Sequence, residues 1–157
     1  MSTIRAKRRH RGVLLLAAAV TLLGCGRSDG LVEVHGTVTL DGQPLNDAIV
    51  QFMAASHEQG TSRPAVGRTD SGGYYQLEYS TGVTGTRPGK YKVTISTFWP
   101  SSLTPEEEVI PGSAERVPNV YNTRSTLTAD VTAEEGEVNF DLKSDAGPIV
   151  QPGGKKP

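Results

Sequence analysis

Val32-Glu33-Val34-His35-Gly36-Thr37-Val38-Thr39-Leu40 runs directly into Asp41-Gly42. Val32, Val34, Gly36, Val38 and Leu40 fall on one parity, and Glu33, His35, Thr37 and Thr39 on the other. Successive side chains of an extended strand point to opposite faces, so the stretch reads as a strand with one apolar and one wet face. Asp-Gly then signals a hairpin turn, because both central residues tolerate positive φ.

The same period of two returns along the chain. Val50 and Phe52 mark the inward face of a second strand over about 48–54, and a polar loop follows at 56–64. A short third strand covers 65–69. Asp70-Ser71-Gly72-Gly73 turns it into a fourth over 74–79, with Tyr75, Leu77 and Tyr79 on one face. A loop rich in Gly and Pro fills 80–89. Tyr91, Val93 and Ile95 then alternate with Lys90, Lys92 and Thr94 in a fifth strand. Residues 98–126, with Pro100, Pro105, Pro111 and Pro118, read as a long irregular loop. Leu127, Ala129 and Val131 carry a sixth strand. Glu135-Gly136 turns it into a seventh, with Val138, Phe140 and Leu142 on its apolar face.

No stretch of the body sustains an i, i+3, i+4 apolar pattern. Seven short strands, each with one apolar face, are not buried by a single open sheet, whereas two sheets packed face to face bury them all. The expectation is an all-β fold, a seven-stranded antiparallel β-sandwich with Greek-key connections over 32–143. Residues 144–157, with three prolines and three glycines, read as a disordered tail. If consecutive strands alternate in direction, the turns at 41–47 and 70–73 and the loop at 98–126 share one end. The segment that leads into Val32 leaves the other.

The charge is uneven along the chain. Lys+Arg 16 against Asp+Glu 17 gives a net charge of -1. Five basic residues (Arg5, Lys7, Arg8, Arg9 and Arg11) and no acidic one fall in residues 1–24, which leaves the remaining body at a net of -6. Phosphate binding needs a basic face, so a nucleic-acid partner is not expected. The chain has a single cysteine, which excludes an intramolecular disulfide framework and any zinc site built on several cysteines.

Residues 1–24 read as a signal peptide. A basic segment ends at Arg11, and an apolar run extends from Val13 to Leu23. As a helix the run spans roughly 16 Å, well short of the ~30 Å of a bilayer core. Cys25 follows at once, and Leu22-Leu23-Gly24-Cys25 resembles the bacterial lipobox. The resemblance implies cleavage before Cys25 and acylation of its thiol, with residues 25–31 as a lipidated tether. Ala or Ser is more usual at the position of Leu23. Two acyl chains anchor stably, since each buried CH₂ contributes ~0.8 kcal/mol. A cut after Ala17-Ala18-Ala19 is the alternative, with a very short apolar run. Gly26 is not the Asp that holds many such lipoproteins at the inner membrane, so the resemblance favours the outer membrane.

A second resemblance rests on the strands. Gly36-Thr37-Val38-Thr39-Leu40-Asp41-Gly42-Gln43-Pro44-Leu45, Thr69-Asp70-Ser71-Gly72-Gly73-Tyr74 and Pro88-Gly89-Lys90-Tyr91-Lys92-Val93-Thr94-Ile95 occur in that order. With Val120-Tyr121-Asn122, Ser125 to Ala129 and Phe140-Asp141-Leu142, they resemble the transthyretin-like (prealbumin-like), carboxypeptidase regulatory-like domains of planctomycete-type lipoproteins. The resemblance covers 32–142. It implies a seven-stranded sandwich that serves as a structural or interaction module, without catalysis. Two enzyme classes with related folds fit poorly. The hydroxyisourate hydrolases carry a Tyr-Arg-Gly-Ser ending that is not written here. The intradiol dioxygenases need two histidines in iron-binding motifs.

Candidate chemistry is sparse. Gly26-Arg27-Ser28-Asp29-Gly30 matches G-x-S-x-G, but a nucleophile elbow needs a strand before it and a helix after it, and neither is written. His35 reads as a solvated strand position and His57 as a loop position, with no metal-ligand spacing. Glu106-Glu107-Glu108 with Glu115 could attract calcium but lack a compact ligand loop, and read as a solvated charge run. Asp41, Asp47 and Asp70 read as turn residues. No catalytic residue, metal or cofactor is expected. Phe98 and Trp99 stand out in a body with few aromatics. Trp99 either closes the open end of the sandwich or, with Phe98, forms an exposed contact for a protein or glycan partner. The expected role is a non-catalytic, lipid-anchored module of the cell envelope. Its partners would be the membrane and an envelope protein, or alternatively a glycan or calcium.

Overall fold

The computed structural model describes residues 30–55, 63–134 and 136–153. The expected signal peptide, Cys25, Ser28 and His57 lie outside the described residues. The strands are β1 (His35–Leu40), β2 (Gln43–Pro44), β3 (Ile49–Ala54), β4 (Ala65–Arg68), β5 (Tyr74–Gln76), β6 (Glu78–Ser80), β7 (Val83–Thr84), β8 (Gly89–Ser96), β9 (Ser102–Leu103), β10 (Val109–Ile110), β11 (Thr128–Val131) and β12 (Phe140–Leu142). One 3-10 turn, Asn119–Tyr121, interrupts them. The described residues contain no helix long and apolar enough to cross a membrane.

The opening stretch forms as its pattern dictates. Val34 and Val38 are fully buried, while Glu33 and Thr37 face water. Asp41 and Gly42 both adopt positive φ, 52 and 79 degrees, and return the chain so that β2 pairs with β1 at Leu40↔Gln43. The first sheet runs β12-β1-β2, with β5 on the first half of β1. The second sheet runs β11-β8-β3-β4-β6-β7. The fold is therefore all-β, a sandwich of two sheets. Phe52 and Tyr91 from the second sheet meet Phe140 and Tyr75 from the first. Ring centroids lie 5.7 Å apart for Phe52–Tyr91, 6.2 Å for Phe52–Phe140 and 6.4 Å for Tyr75–Phe140. Val50, Leu77, Val93, Ile95, Val131 and Leu142 fill the space around them. Each such fully buried side chain contributes about 1.5–3 kcal/mol.

The expected strands are present, but the loop expected to be irregular over 98–126 holds the β9–β10 pair and the 3-10 turn, where the chain folds back on itself locally, and four further differences stand out. The fourth strand is split at Leu77, where the chain leaves the first sheet and joins the second. Leu77 N–H donates to the Val34 carbonyl at 2.8 Å, while its own carbonyl accepts from Gly85 at 2.7 Å. Gly67 makes the crossing possible, since a Cβ there would lie 2.6 Å from the Gln76 carbonyl oxygen. The second difference lies in 80–89, which folds partly as a β6–β7 hairpin about Gly82, at φ 76 degrees.

Third, β12 lies parallel to β1, with Val38↔Phe140 and Leu40↔Leu142 in register. The seven expected strands correspond to β1, β3, β4, β5 with β6, β8, β11 and β12; they alternate in direction, so the first and last point the same way and must be parallel when side by side. The 102 residues between Thr37 and Asn139, whose side chains are hydrogen-bonded, exceed any hairpin and impose no antiparallel return.

Fourth, the described part of the tail expected to be disordered is docked. Asn119 N–H donates to the Pro148 carbonyl at 2.9 Å. The Gln151 amide accepts from Glu115 N–H and donates to the Glu115 carbonyl, both at 2.9 Å, in place of a strand neighbour. Ser144, through its hydroxyl and its N–H, holds the Asp41 carboxyl below the usual carboxylate range.

The two ends of the sandwich are distinct. At one, Asp47 N–H meets the Thr69 carbonyl at 3.1 Å, and the Arg116 guanidinium meets Asn46. The turns at 41–47 and 70–73 and the loop at 98–126 therefore gather there. At the other, Val32 exchanges two backbone hydrogen bonds with Thr86, of 2.7 and 2.9 Å. His35 N–H there bonds the Gly136 carbonyl at 3.0 Å.

Candidate functional site

The outer face of the second sheet carries an open groove of about 670 Å³. Its position follows from strand parity. In β3 Val50 and Phe52 point inward, so Ile49 points out; in β4 Ala65 and Gly67 point inward, so Val66 and Arg68 point out. Ile49 and Arg68 are paired across the two strands. Tyr74 and Gln76 of β5, Glu78 of β6, and Tyr79 form the facing wall, and Trp99 stands at the loop-bearing end. Pockets of about 300–1,000 Å³ with apolar walls and a few polar groups are typical ligand sites.

Trp99 does not close the core. It is 36% exposed and sits outside the sandwich. Its backbone is held by two hydrogen bonds with Ser113, of 3.0 and 2.9 Å. The Arg68 guanidinium lies 4.8 Å from its ring centroid, a cation–π contact, and also reaches the Asp47 carboxylate at 3.0 Å. This chain of contacts orients the indole before any ligand arrives. Phe98, its neighbour in sequence, is half-buried and does not line the groove, so the expected pair is separated. His35 lies beside Tyr74 with the two rings tilted by 38 degrees and their centroids 6.1 Å apart.

The acidic cluster is divided. Glu106, Glu107 and Glu108 are exposed in the turn between β9 and β10, with Glu107 at φ 64 degrees. Glu115 is buried. Its carboxylate accepts from Ser96 Oγ at 2.5 Å and from the N–H groups of Thr97, Arg116 and Val117, each at 3.0 Å. The Thr97 hydroxyl adds a fifth hydrogen bond at 3.1 Å. Glu115 thus ties the long loop to the end of β8 and is turned away from its three neighbours. Among the described residues no three His, Cys, Asp or Glu side chains gather as a metal cluster would. Asp70 acts as the expected turn residue, accepting from Gly72 and Tyr74 N–H at 2.8 and 3.0 Å. The groove itself was missed in the sequence, although the outward parity of Ile49, Val66 and Arg68 was implicit in it.

No family model and no curated protein matches the chain. Among solved structures it is similar to a 9R-lipoxygenase from Cyanothece, at 10% identity and a TM-score of 0.38 over 73% of this chain. It spans 16% of that lipoxygenase's length. It is also similar to a protein of Pseudomonas aeruginosa provisionally named as carbohydrate-binding, at 13% identity and a TM-score of 0.38, covering 73% of this chain and 88% of that one.

Proposed function

We propose that this protein is a non-catalytic, lipid-anchored β-sandwich of the cell envelope, held in the outer membrane through Cys25 and presenting its far end to an envelope protein. The observation that carries the reading is the opposition of the two ends. The chain enters the fold at Val32, next to Thr86 and Gly136, while the long loop and Trp99 lie at the other end. A tether of residues 25–31 then leaves the loop-bearing end free to reach a partner. Substitution Cys25→Ser tests the anchor. The variant should move from the membrane fraction to the soluble fraction of the envelope, and its persistence in membranes would overturn the anchor. A second reading, in which the module binds a glycan, is favoured by three aromatic side chains, Tyr74, Tyr79 and Trp99, lining one groove.

A further inference from the structure

We infer that the groove on the second sheet takes a neutral, extended oligosaccharide, a proposal that rests on the glycan reading and specifies its ligand. Four features of the groove support it.

The first is shape. The groove follows β4, whose four residues extend roughly 13 Å at ~3.3 Å per residue, and it is open along its length. A trough of that length suits a chain of linked rings better than one small molecule.

The second is the aromatic lining. A pyranose presents flat patches of C–H groups, and an aromatic face offers dispersion contact and a matching quadrupole to such a patch. Tyr74 is 42% exposed and Trp99 36%, so each offers ring surface to a ligand. The Arg68 contact has already fixed the Trp99 ring, which lowers the ordering cost of binding.

The third is the polar complement. The Trp99 indole N–H, the Tyr74 and Tyr79 hydroxyls and the Glu78 carboxylate make no hydrogen bond with other described residues. These groups face water in the free protein, and sugar hydroxyls can replace that water with donors and acceptors in kind.

The fourth is charge. Among the described lining residues, Asp70 and Glu78 stand against the one cation Arg68, which Asp47 already pairs. A uronate or phosphate-bearing chain would meet this excess of carboxylates unfavourably, which selects neutral sugars. A peptide strand is also poorly served. The floor strand β4 is bonded to β3 on one side and to β6, at Val66↔Glu78, on the other, and the wall strand β5, paired only with β1, is three residues long, so a main-chain ladder has little edge to extend.

Trp99 is the only tryptophan in the chain, so its emission reports this groove alone. The experiment titrates the lipidated protein, in a detergent without a sugar headgroup, with neutral hexasaccharides. The panel spans α- and β-linked glucose, mannose, xylose, galactose and N-acetylglucosamine. Hexagalacturonate and the monosaccharides serve as comparison. A saturable change in Trp99 emission with at least one neutral hexasaccharide, tighter than with its monosaccharide, is expected. By calorimetry Tyr74→Ala and Trp99→Ala should each weaken that binding about tenfold, a change of ~1.4 kcal/mol. Both residues are well exposed, so unchanged thermal melting confirms that the variants fold. Response to hexagalacturonate alone overturns the neutral specificity and leaves the glycan reading standing. Neutral binding at full strength in both variants overturns the assignment of the groove. Silence across the whole panel, by emission and by calorimetry, overturns both the proposal and the glycan reading.

Discussion

Glu115 closes the loop-bearing end of the sandwich through one carboxylate. Its five hydrogen bonds satisfy the buried backbone N–H groups of Thr97 and Val117, and it shares the Arg116 N–H with the Thr97 hydroxyl. An unmet buried donor costs about 1–3 kcal/mol. Glu115→Ala should therefore lower unfolding stability by about 3 kcal/mol, and Glu115→Gln by less, because one accepting oxygen remains. Urea denaturation of the three proteins checks this. Equal stabilities would show that water replaces the carboxylate without cost. The sequence placed Glu115 among solvated charges because its neighbours Glu106 to Glu108 are solvated. Nothing local distinguishes a carboxylate whose partners lie eighteen residues upstream at Thr97. Tyr75 carries a pH dependence on the alkaline side. Burial pushes its phenol well above the ordinary value, and its hydroxyl donates to the Val138 carbonyl at 2.7 Å. The folded protein then keeps this proton at a pH where the unfolded chain, with an ordinary value of about 10, loses it. Its contribution to stability is complete below about pH 10 and declines as the pH rises further. Tyr75→Phe should flatten that alkaline decline while costing about 1 kcal/mol at neutral pH. Urea midpoints of both proteins from about pH 8 to 11 decide it, and parallel curves would refute the assignment.

Between β1 and residues 136–138, which lead into β12, the backbones approach so closely that only glycine fits at position 36. A Cβ on Gly36 would fall 1.9 Å from the Val138 carbonyl oxygen. Gly36→Ala should therefore cost about 3 kcal/mol, by opening the seam or displacing residues 136–138. Thermal unfolding gives the cost, and a drop of less than a few degrees would mean that the seam yields easily. At this scale most strands could be read from parity alone, because one buried face writes a period of two into the sequence. The break at Leu77 could not. Tyr75 and Leu77 keep their parity across it, and the chain changes sheets only because Gly67 of another strand clears the path. The tail at 144–153 misled for a different reason. Pro and Gly argue for disorder, yet the Pro148 carbonyl still accepts a hydrogen bond and Gln151 supplies both halves of a bridge. Trp99 is legible as unusual, but the choice between its two readings, a lid on the sandwich or an exposed contact, is not, because its position depends on Ser113 and Arg68, which are remote in sequence.

Across the whole molecule, alternation of strand direction sets which features lie near the entry of the chain at Val32, and so near the proposed anchor, and which lie far from it. In lipidated protein reconstituted in vesicles, a quencher embedded in the bilayer should leave Trp99 emission largely unchanged, while a water-soluble quencher should reduce it. Efficient quenching from the bilayer would reverse the proposed orientation. The seven main strands could be counted in the sequence, but not the short pairs β2, β7, β9 and β10, nor the lateral order that sets β12 beside β1, since that depends on contacts about a hundred residues apart. The way the chain enters the fold adds a mechanical consequence. Val32 is bonded to Thr86 on one side, His35 to Gly136 and Val138 on another, and Val38 to Gly73 and Leu45 further along. A pull on the tether, with the far end held by a partner, is directed along β1 and strains these bonds together in shear. They must then fail collectively instead of opening one at a time like a zip, so the segment that would lie nearest the membrane under the proposed anchoring is also the one built to resist being drawn out.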